Sequence, residues 1–122
     1  MGKKVLVVDD EPNIVQVVIS RLKANNYDVI TAVDGQEALE LAQREKPDLI
    51  ILDLMLPKLD GYKVCSILKS NDQHKDTPII MLTARGEIDD MKNGLEKGAN
   101  AYVTKPFNSN ALIGIIDGLI GK

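Results

Sequence analysis

Short apolar segments alternate with helix-like patterns along the whole chain. Five segments, most of them continuously apolar, have the composition of strands that are buried on both faces of a sheet. They are residues 5–8, 28–32, 49–52, 78–82 and 101–103. We therefore predict five β-strands, and Pro78 is compatible with this because it stands at the first position of its strand.

Two helices are predicted before the third strand. Pro12 suits the first turn of a helix, and Asn25 and Asn26 are expected to end that helix. Asp34, with Glu37 three residues later, resembles a capping box at the start of the second helix. Apolar residues recur at helical spacing in both segments, which is typical of amphipathic helices.

Three further helices are predicted in the second half of the chain. The third follows Gly61, the fourth carries Met91 and ends near Gly98, and the fifth is capped by Asn108 or Ser109. Five strand–helix repeats favour an α/β fold, in which a doubly wound parallel sheet has helices on both faces. No linker or repeat interrupts the pattern, so residues 1–122 are predicted to form one domain.

The composition excludes several classes of function. Among 122 residues, 15 are basic and 18 are acidic, and a net charge of −3 does not favour a nucleic-acid-binding module. A hydrophobic fraction of 44% excludes a disordered tail. The single cysteine, Cys65, is predicted to lie in the core and cannot form an internal disulfide. No apolar run approaches the roughly 20 residues that span a bilayer, and we expect a cytoplasmic protein.

The predicted strands end in residues that could bind ligands or react. Asp9 and Asp10 follow the first strand, Asp53 the third, Thr83 the fourth and Lys105 the fifth. Each has a simpler interpretation as a helix cap, a turn residue or a solvated side chain. In a parallel sheet, however, all of these strand ends meet at one edge, which is where such folds bind their ligands.

As a set, these residues indicate metal-assisted phosphoryl chemistry. Three carboxylates at one edge repel one another unless a cation neutralises them, and oxygen ligands suit Mg²⁺. A lysine and a hydroxyl beside that ion suit a phosphoryl group carried by a carboxylate nucleophile. No G-x-G-x-x-G motif follows the first strand, and no G-x-x-x-x-G-K-[ST] motif is present. His74 lies in a polar segment and is predicted to be solvated.

A series of motifs, in order, is similar to that of a known family. The matching segments are VVDDEP (7–12), DGQEAL (34–39), PDLIILD (47–53), MLP (55–57), DG (60–61), PIIMLTA (78–84), GA (98–99) and YVTKPF (102–107). Over essentially its full length the chain resembles the receiver domain of two-component response regulators. The resemblance implies a flavodoxin-like fold with strand order 2-1-3-4-5. It also implies a phosphorylation-dependent signalling switch rather than an enzyme acting on other substrates.

The resemblance assigns roles to the acidic residues. Asp53 is the expected phosphoacceptor, which takes the phosphoryl group from a sensor histidine kinase or a histidine phosphotransfer protein. Asp10, Asp53 and the backbone carbonyl of Met55 are the expected direct ligands of Mg²⁺, and Asp9 acts mostly through a metal-bound water. In this family the receiver itself assists both its phosphorylation and its dephosphorylation.

The resemblance also assigns the switch. Lys105 is expected to pair with the phosphoryl oxygens, while Thr83 and the backbone N–H of Ala84 hydrogen-bond to them. Tyr102 matches the aromatic switch position, whose ring turns inward when Thr83 moves. The change is expected to reach the surface made by the fourth predicted helix, the fifth strand and the fifth predicted helix, and so to control an effector or output domain. The bond between Lys105 and Pro106 is a candidate cis peptide.

The chain departs from the transcription-factor branch of the family, which two of its motifs resemble. That branch dimerises through charged residues, and other types stand at the matching positions here: Met91, Asn100, Ala101, Ala111 and Ile115. We therefore expect a monomer when unphosphorylated, and no tight, salt-sensitive dimer after phosphorylation. We also expect no direct contact with nucleic acid or membrane.

Three glycines are predicted to lie on the outer face of the fifth helix, at Gly114, Gly118 and Gly121. Two interpretations stay open: a marginally stable helix, or a surface that a partner backbone approaches closely.

A different class of function would use the same sheet, namely a phosphatase or phosphotransferase with an aspartyl nucleophile. Phosphatases of that kind place a second Asp two residues after the nucleophile, and Met55 occupies that position. Since no output domain follows the fifth helix, a stand-alone regulator is expected, with a piece of a longer regulator as the alternative.

Overall fold

The computed structural model of the chain describes residues 3–54, 56, 58–59, 61–84, 99–105 and 107–120. Its strands are β1 (Lys4–Val8), β2 (Asp28–Ala32), β3 (Leu49–Asp53), β4 (Ile79–Ala84) and β5 (Ala101–Lys105). They form one parallel sheet in the order β2-β1-β3-β4-β5. The predicted α/β architecture and strand order are confirmed. Both β4 and β5 extend two residues beyond the predicted segments, and β4 begins at Ile79, so Pro78 directly precedes the strand instead of starting it.

Four helices lie within the described residues: α1 (Pro12–Ala24), α2 (Gly35–Glu45), α3 (Gly61–Lys69) and α4 (Ser109–Ile120). The last of them is the predicted fifth helix. The predicted fourth helix, with Met91 and Gly98, lies outside the described residues. None of the helices described is long and apolar enough to cross a bilayer.

The starts of α2 and α4 are capped by side chains that the sequence offers. Asp34 accepts the backbone N–H of Glu37 at 2.8 Å, and the Glu37 carboxylate accepts the N–H of Val33 at 2.8 Å. This reciprocal pair is the predicted capping box, except that Glu37 accepts the N–H of Val33, the residue before the N-cap, instead of that of Asp34 itself. For α4 the cap is Asn108 rather than Ser109, because the Asn108 side chain accepts two backbone N–H groups of the first turn, at 2.8 and 3.1 Å.

The core lies on both faces of the sheet, because side chains alternate along each strand. One face packs on α2 and α3, and its strand residues include Leu6, Val8, Ile50, Leu52 and Met81. The other face packs on α1 and α4, and its strand residues include Val5, Val7, Ile51, Ile80 and Leu82. Cys65 is fully buried against the first face, as predicted.

The prediction that His74 is solvated is wrong, since only 3% of this residue is exposed. Its N–H donates to the carbonyl of Asn71 at 2.9 Å, so the polar segment folds back on itself. His74 then lines a cavity of about 230 Å³ together with Leu39 and Ile67 of the neighbouring helices. Burial, together with the positive charge of Lys46, lowers the pKa of His74 below its usual value.

The side-chain amide of Asn100 forms hydrogen bonds near the amino-terminal end of β4, opposite to the carboxyl ends of the strands. Lys69 at the end of α3 donates to the carbonyl of Thr77 at 2.6 Å and to Oδ1 of Asn100 at 3.3 Å. The same Asn100 oxygen accepts the N–H of Ile79 at 3.0 Å. These bonds connect α3 with the first residue of β4 and with the residue before β5.

The glycines of α4 lie on its outer face as predicted. Gly114 and Gly118 are exposed, and a Cβ added to either would meet no heavy atom within 4 Å. Gly121 lies outside the described residues. The position of the first two fits both interpretations of these glycines.

Candidate phosphoryl-transfer and metal site

The register of the sheet brings three strand ends together. Val8 of β1 pairs with Leu52 of β3, which puts Asp9 beside Asp53 at the carboxyl edge. Lys105 ends β5 at the same edge, with β4 between β3 and β5. Asp9, Asp53 and Lys105, of which the first and last are 96 positions apart in the sequence, therefore lie in one cluster.

The ammonium group of Lys105 is the centre of this cluster. Its Nζ lies 3.1 Å from Oδ2 of Asp9, 3.3 Å from Oδ2 of Asp53 and 3.0 Å from Oε1 of Glu11. Burial by itself would lower the pKa of Lys105, but the hydrogen bond to Glu11 and the charges of Asp53 and Asp9 outweigh it and raise that pKa. The lysine is therefore a fixed positive charge in the site.

Asp9 is held from two sides and is not a side-chain cap of α1. Its backbone N–H donates to the carbonyl of Ala32 at 3.2 Å, and its Oδ1 accepts the N–H of Glu11 at 2.9 Å. Glu11 is the N-cap residue of α1 and makes no side-chain capping bond. The second oxygen of Asp9 is thereby turned towards Lys105.

Three carboxylates offer a place for a hard cation. Asp9, Asp10 and Asp53 each present one oxygen, and these oxygens lie within 4.8 Å of one another. Asp9 and Asp53 are buried, whereas Asp10 is exposed. An all-oxygen donor set that is open to water on one side fits Mg²⁺, which keeps several water ligands. The predicted backbone ligand, Met55, lies outside the described residues.

The predicted switch residues lie on neighbouring strands. Thr83, in β4, is only 1% exposed. Tyr102, in β5, pairs with Met81, and its ring packs on the core face that carries Met81. Because alternate residues of a strand share a face, Thr83 and Tyr102 lie on the same side of the sheet. The backbone of Ala84 ends β4 beside Thr83, and Pro106 lies outside the described residues.

Gly61 has a structural role at the site that its place in a motif did not reveal. Its N–H donates to the carbonyl of Leu54 at 2.9 Å. A Cβ at position 61 would come within 2.5 Å of the Asp53 carbonyl oxygen and 2.8 Å of the Leu54 Cα. Real Cβ atoms do not approach backbone atoms so closely, so the chain after Asp53 can take this path only next to a glycine.

Glu11 is a second residue whose role the sequence analysis missed. It directly follows the two aspartates after β1. Its carboxylate accepts a hydrogen bond from Lys105, which ends β5 and is separated from β1 by β3 and β4 in the sheet. The signal in the sequence is only a third acidic residue in a row, and that pattern is also common in solvated helix starts.

Comparison with known proteins identifies the family. A family model described as the response regulator receiver domain matches residues 5–117. The chain belongs to this family. Receiver domains are phosphorylated on an aspartate to switch the activity of two-component response regulators, which receive phosphate from histidine kinases and regulate output domains.

Several relatives are transcriptional regulators. The alkaline phosphatase synthesis transcriptional regulatory protein PhoP of Bacillus subtilis is 56% identical over 108 residues, which cover 88% of this chain and 44% of PhoP. The DNA-binding dual master transcriptional regulator RpaA of Synechocystis is 43% identical, over 98% of this chain and 49% of RpaA. The chain thus spans about half the length of the curated relatives it matches.

A solved structure with the same fold contains a metal. The receiver domain of the sensor histidine kinase PA1611 from Pseudomonas aeruginosa has a TM-score of 0.91 and 34% identity, and the match covers 100% of both chains. That structure has a magnesium ion coordinated in its active-site cleft.

Proposed function

We propose that Asp53 is the phosphoacceptor of this receiver domain. The observation that carries the proposal is the position of its carboxylate, 3.3 Å from the Lys105 ammonium and next to two other aspartates. A carboxylate oxygen of Asp53 attacks the phosphorus of a phosphohistidine donor, and the bond from phosphorus to the imidazole nitrogen breaks. The product is an acyl phosphate on Asp53, and the imidazole leaves with a proton in place of the phosphoryl group.

Lys105 and a bound Mg²⁺ complete the site in this proposal. Lys105 places its positive charge where the transferred oxygens become negative. Asp10, Asp53 and the Met55 carbonyl would hold the metal, with Asp9 acting through a metal-bound water, and the metal would supply further charge neutralisation. The same groups would assist dephosphorylation, so the domain controls its own phosphorylated lifetime without acting on other substrates.

The proposed output is a movement of the β4 end. A phosphoryl group adds nearly two negative charges and three strong acceptors. Thr83 and the Ala84 N–H would bind one of its oxygens, and Tyr102, on the same side of the sheet, would turn inward. A differential stabilisation of a few kcal/mol is enough to shift such a two-state surface. The altered surface would be the one formed by β5, α4 and the segment that contains Met91.

The proposed partners follow from this cycle. A sensor histidine kinase or a histidine phosphotransfer protein would supply the phosphoryl group, in the cytoplasm. An effector protein or an output domain would respond to it. Nucleic acid and membrane are not proposed as direct partners, because the chain is acidic, with a net charge of −3. A monomer is proposed for the unphosphorylated state.

The test is phosphorylation by acetyl phosphate, measured by intact mass. Wild type and the control Asp72→Asn, which changes an exposed carboxylate outside the site, should each gain one phosphoryl group in the presence of Mg²⁺. Asp53→Asn should gain none, and wild type should gain none when the metal is chelated. Equal incorporation by wild type and Asp53→Asn would contradict the assignment.

A further inference from the structure

The Lys105 ammonium has three carboxylate neighbours, and only one of them is exposed. Lys105 donates a 3.0 Å hydrogen bond to Oε1 of Glu11, and it lies 3.1 Å from Asp9 and 3.3 Å from Asp53. The side chain of Asp9 is 0% exposed and that of Asp53 is 6% exposed, whereas that of Glu11 is 58% exposed. An ammonium group has three N–H donors. One of them is used in the hydrogen bond to Glu11, whereas the contact with Oδ2 of Asp9 is an ion pair without hydrogen-bond geometry.

A phosphoryl group on Asp53 would take over the donor that now faces Asp53, and its further oxygens would compete for a second donor. The buried carboxylate of Asp9 cannot exchange Lys105 for water without a large desolvation penalty. The carboxylate of Glu11 can, because solvent already reaches more than half of the side chain. The contact between Lys105 and Glu11 is therefore the one that is released at least cost.

The backbone of Glu11 cannot follow Lys105 when the lysine turns towards a phosphoryl group. Its N–H donates to Asp9 Oδ1 at 2.9 Å, and the residue is the N-cap of α1, directly before Pro12. The carboxylate of Glu11 thus stabilises one position of Lys105, the position seen without a phosphoryl group.

We propose that Glu11 is a positioning residue that binds the Lys105 ammonium in the unphosphorylated state and so competes with a phosphoryl group for it. This inference rests on the proposed phosphorylation of Asp53. Because the contact stabilises only the unphosphorylated state, it opposes phosphorylation and raises the amount of donor that activation requires. Glu11 is in this way a determinant of the sensitivity of the switch, and it makes no contact with the phosphoryl group.

The first experiment measures the dissociation constant of beryllofluoride, a phosphoryl mimic, by calorimetry at saturating Mg²⁺. Two variants weaken the contact differently: Glu11→Gln removes the charge, and Glu11→Asp keeps the charge but shortens the side chain by one methylene. Aspartate is also a favoured N-cap residue, so Glu11→Asp should preserve the start of α1. Glu40→Gln, which removes an exposed glutamate on α2, is the control for net charge.

Both Glu11 variants should bind beryllofluoride more tightly, by about two- to fivefold, which is the range of an exposed ion pair. Glu40→Gln should bind as wild type does. An affinity of Glu11→Asp equal to that of wild type would overturn the proposal, because the effect of Glu11→Gln would then be one of charge alone. Weaker binding by either Glu11 variant would also overturn it.

The second experiment follows Lys105 in the wild-type protein and does not depend on a variant. In a structure of the beryllofluoride complex, Nζ of Lys105 should be more than about 4 Å from the Glu11 carboxylate, which is beyond ion-pair distance. The Cε–Hε resonance of Lys105 should move on addition of beryllofluoride, and in free Glu11→Asp it should already be displaced in that direction. A retained contact with Glu11 would overturn the inference while the proposed function stands. A wild-type protein that neither binds the mimic nor gains phosphate would overturn both.

Discussion

Gly61 lies directly against the backbone of Asp53, and a Cβ at position 61 would come within 2.5 Å of the Asp53 carbonyl oxygen. Both the oxygen and the nearby Cα of Leu54 belong to the main chain, so no flexible side chain can give way. The start of α3 and the end of β3 are therefore packed as one unit, and the position of the candidate phosphoacceptor depends on it.

Gly61→Ala should for this reason be destabilising and should slow phosphorylation. Inserting a methyl group into a fully packed site typically costs about 1–3 kcal/mol, and relief of the clash would displace Asp53. Urea unfolding would give the stability, and intact mass after timed exposure to acetyl phosphate would give the rate. Gly118→Ala is the matched control, since a Cβ there meets open space. A Gly61→Ala protein as stable and as reactive as wild type would show that the backbone adjusts freely.

Gly114→Ala should stabilise the protein by about 0.5–1 kcal/mol, because alanine has the higher helix propensity and nothing obstructs its Cβ. The midpoint of urea unfolding checks this. The same variant separates the two interpretations of the α4 glycines. If the glycines only weaken the helix, binding of a phosphorylation-dependent partner should be unchanged. If a partner backbone approaches here, that binding should become weaker although the protein is more stable.

Magnesium should raise the melting temperature of the wild-type protein and leave that of Asp10→Ala nearly unchanged. A ligand at 100 times its dissociation constant stabilises by about 2.7 kcal/mol, and Asp10 is the exposed member of the carboxylate cluster. Without metal, Asp10→Ala should be at least as stable as wild type, because one repelling charge is gone. Asp28→Ala, which removes an exposed carboxylate of β2, is the control. A full magnesium response in Asp10→Ala would show that Asp10 is not a ligand.

The buried His74 should make stability fall as the pH falls. Its pKa is lowered in the folded state by burial and by the charge of Lys46, from an ordinary value near 6.5. Below that pH the unfolded chain binds a proton that the folded protein does not, so acid favours unfolding. Unfolding in urea at about pH 7.5 and about pH 5.5 should show a larger loss for wild type than for His74→Gln. Because the chain has one histidine, an equal loss in both would assign the effect to its carboxylates.

Thr83→Ala should separate phosphorylation from its output. The variant should still gain phosphate on Asp53, because the nucleophile and Lys105 are unchanged. It should lose most of the response of β5 and α4, since the hydroxyl that would draw the end of β4 inward is missing. Amide chemical shifts with and without beryllofluoride, at saturating Mg²⁺, measure this response. A change in amide chemical shift at Tyr102 as large as in wild type would contradict the proposed role of Thr83 in transmitting phosphorylation to β5 and α4.

The strand ends could be predicted from the sequence because their position follows from a simple rule. Once the apolar segments are taken as parallel strands, Asp9, Asp53 and Lys105 must meet at one edge. The burial of His74 could not be predicted in this way. Its neighbours in the sequence are polar, and its burial depends on how the segment folds onto α2 and α3.

Other details of the site depend on contacts between distant backbone segments. Asn108 and Ser109 are both good capping residues, and only the path of the chain into α4 decides between them. The close approach of Gly61 to Asp53, and the reach of Glu11 to Lys105, are likewise set by three-dimensional packing. Local pattern carries no information on such distances.

The amide of Asn100 bears on whether this domain can form ion pairs with other receiver domains. Its oxygen is occupied within the molecule by Lys69 and by the N–H of Ile79. The resemblance of two motifs to the transcription-factor branch implies an acidic residue at this position, among the charges through which that branch dimerises. A neutral side chain that is already bonded inside its own fold offers no charge for such a pair. We therefore expect that the same amide, which connects α3 with the sheet, contributes no ion pair to a mixed dimer with a charged relative.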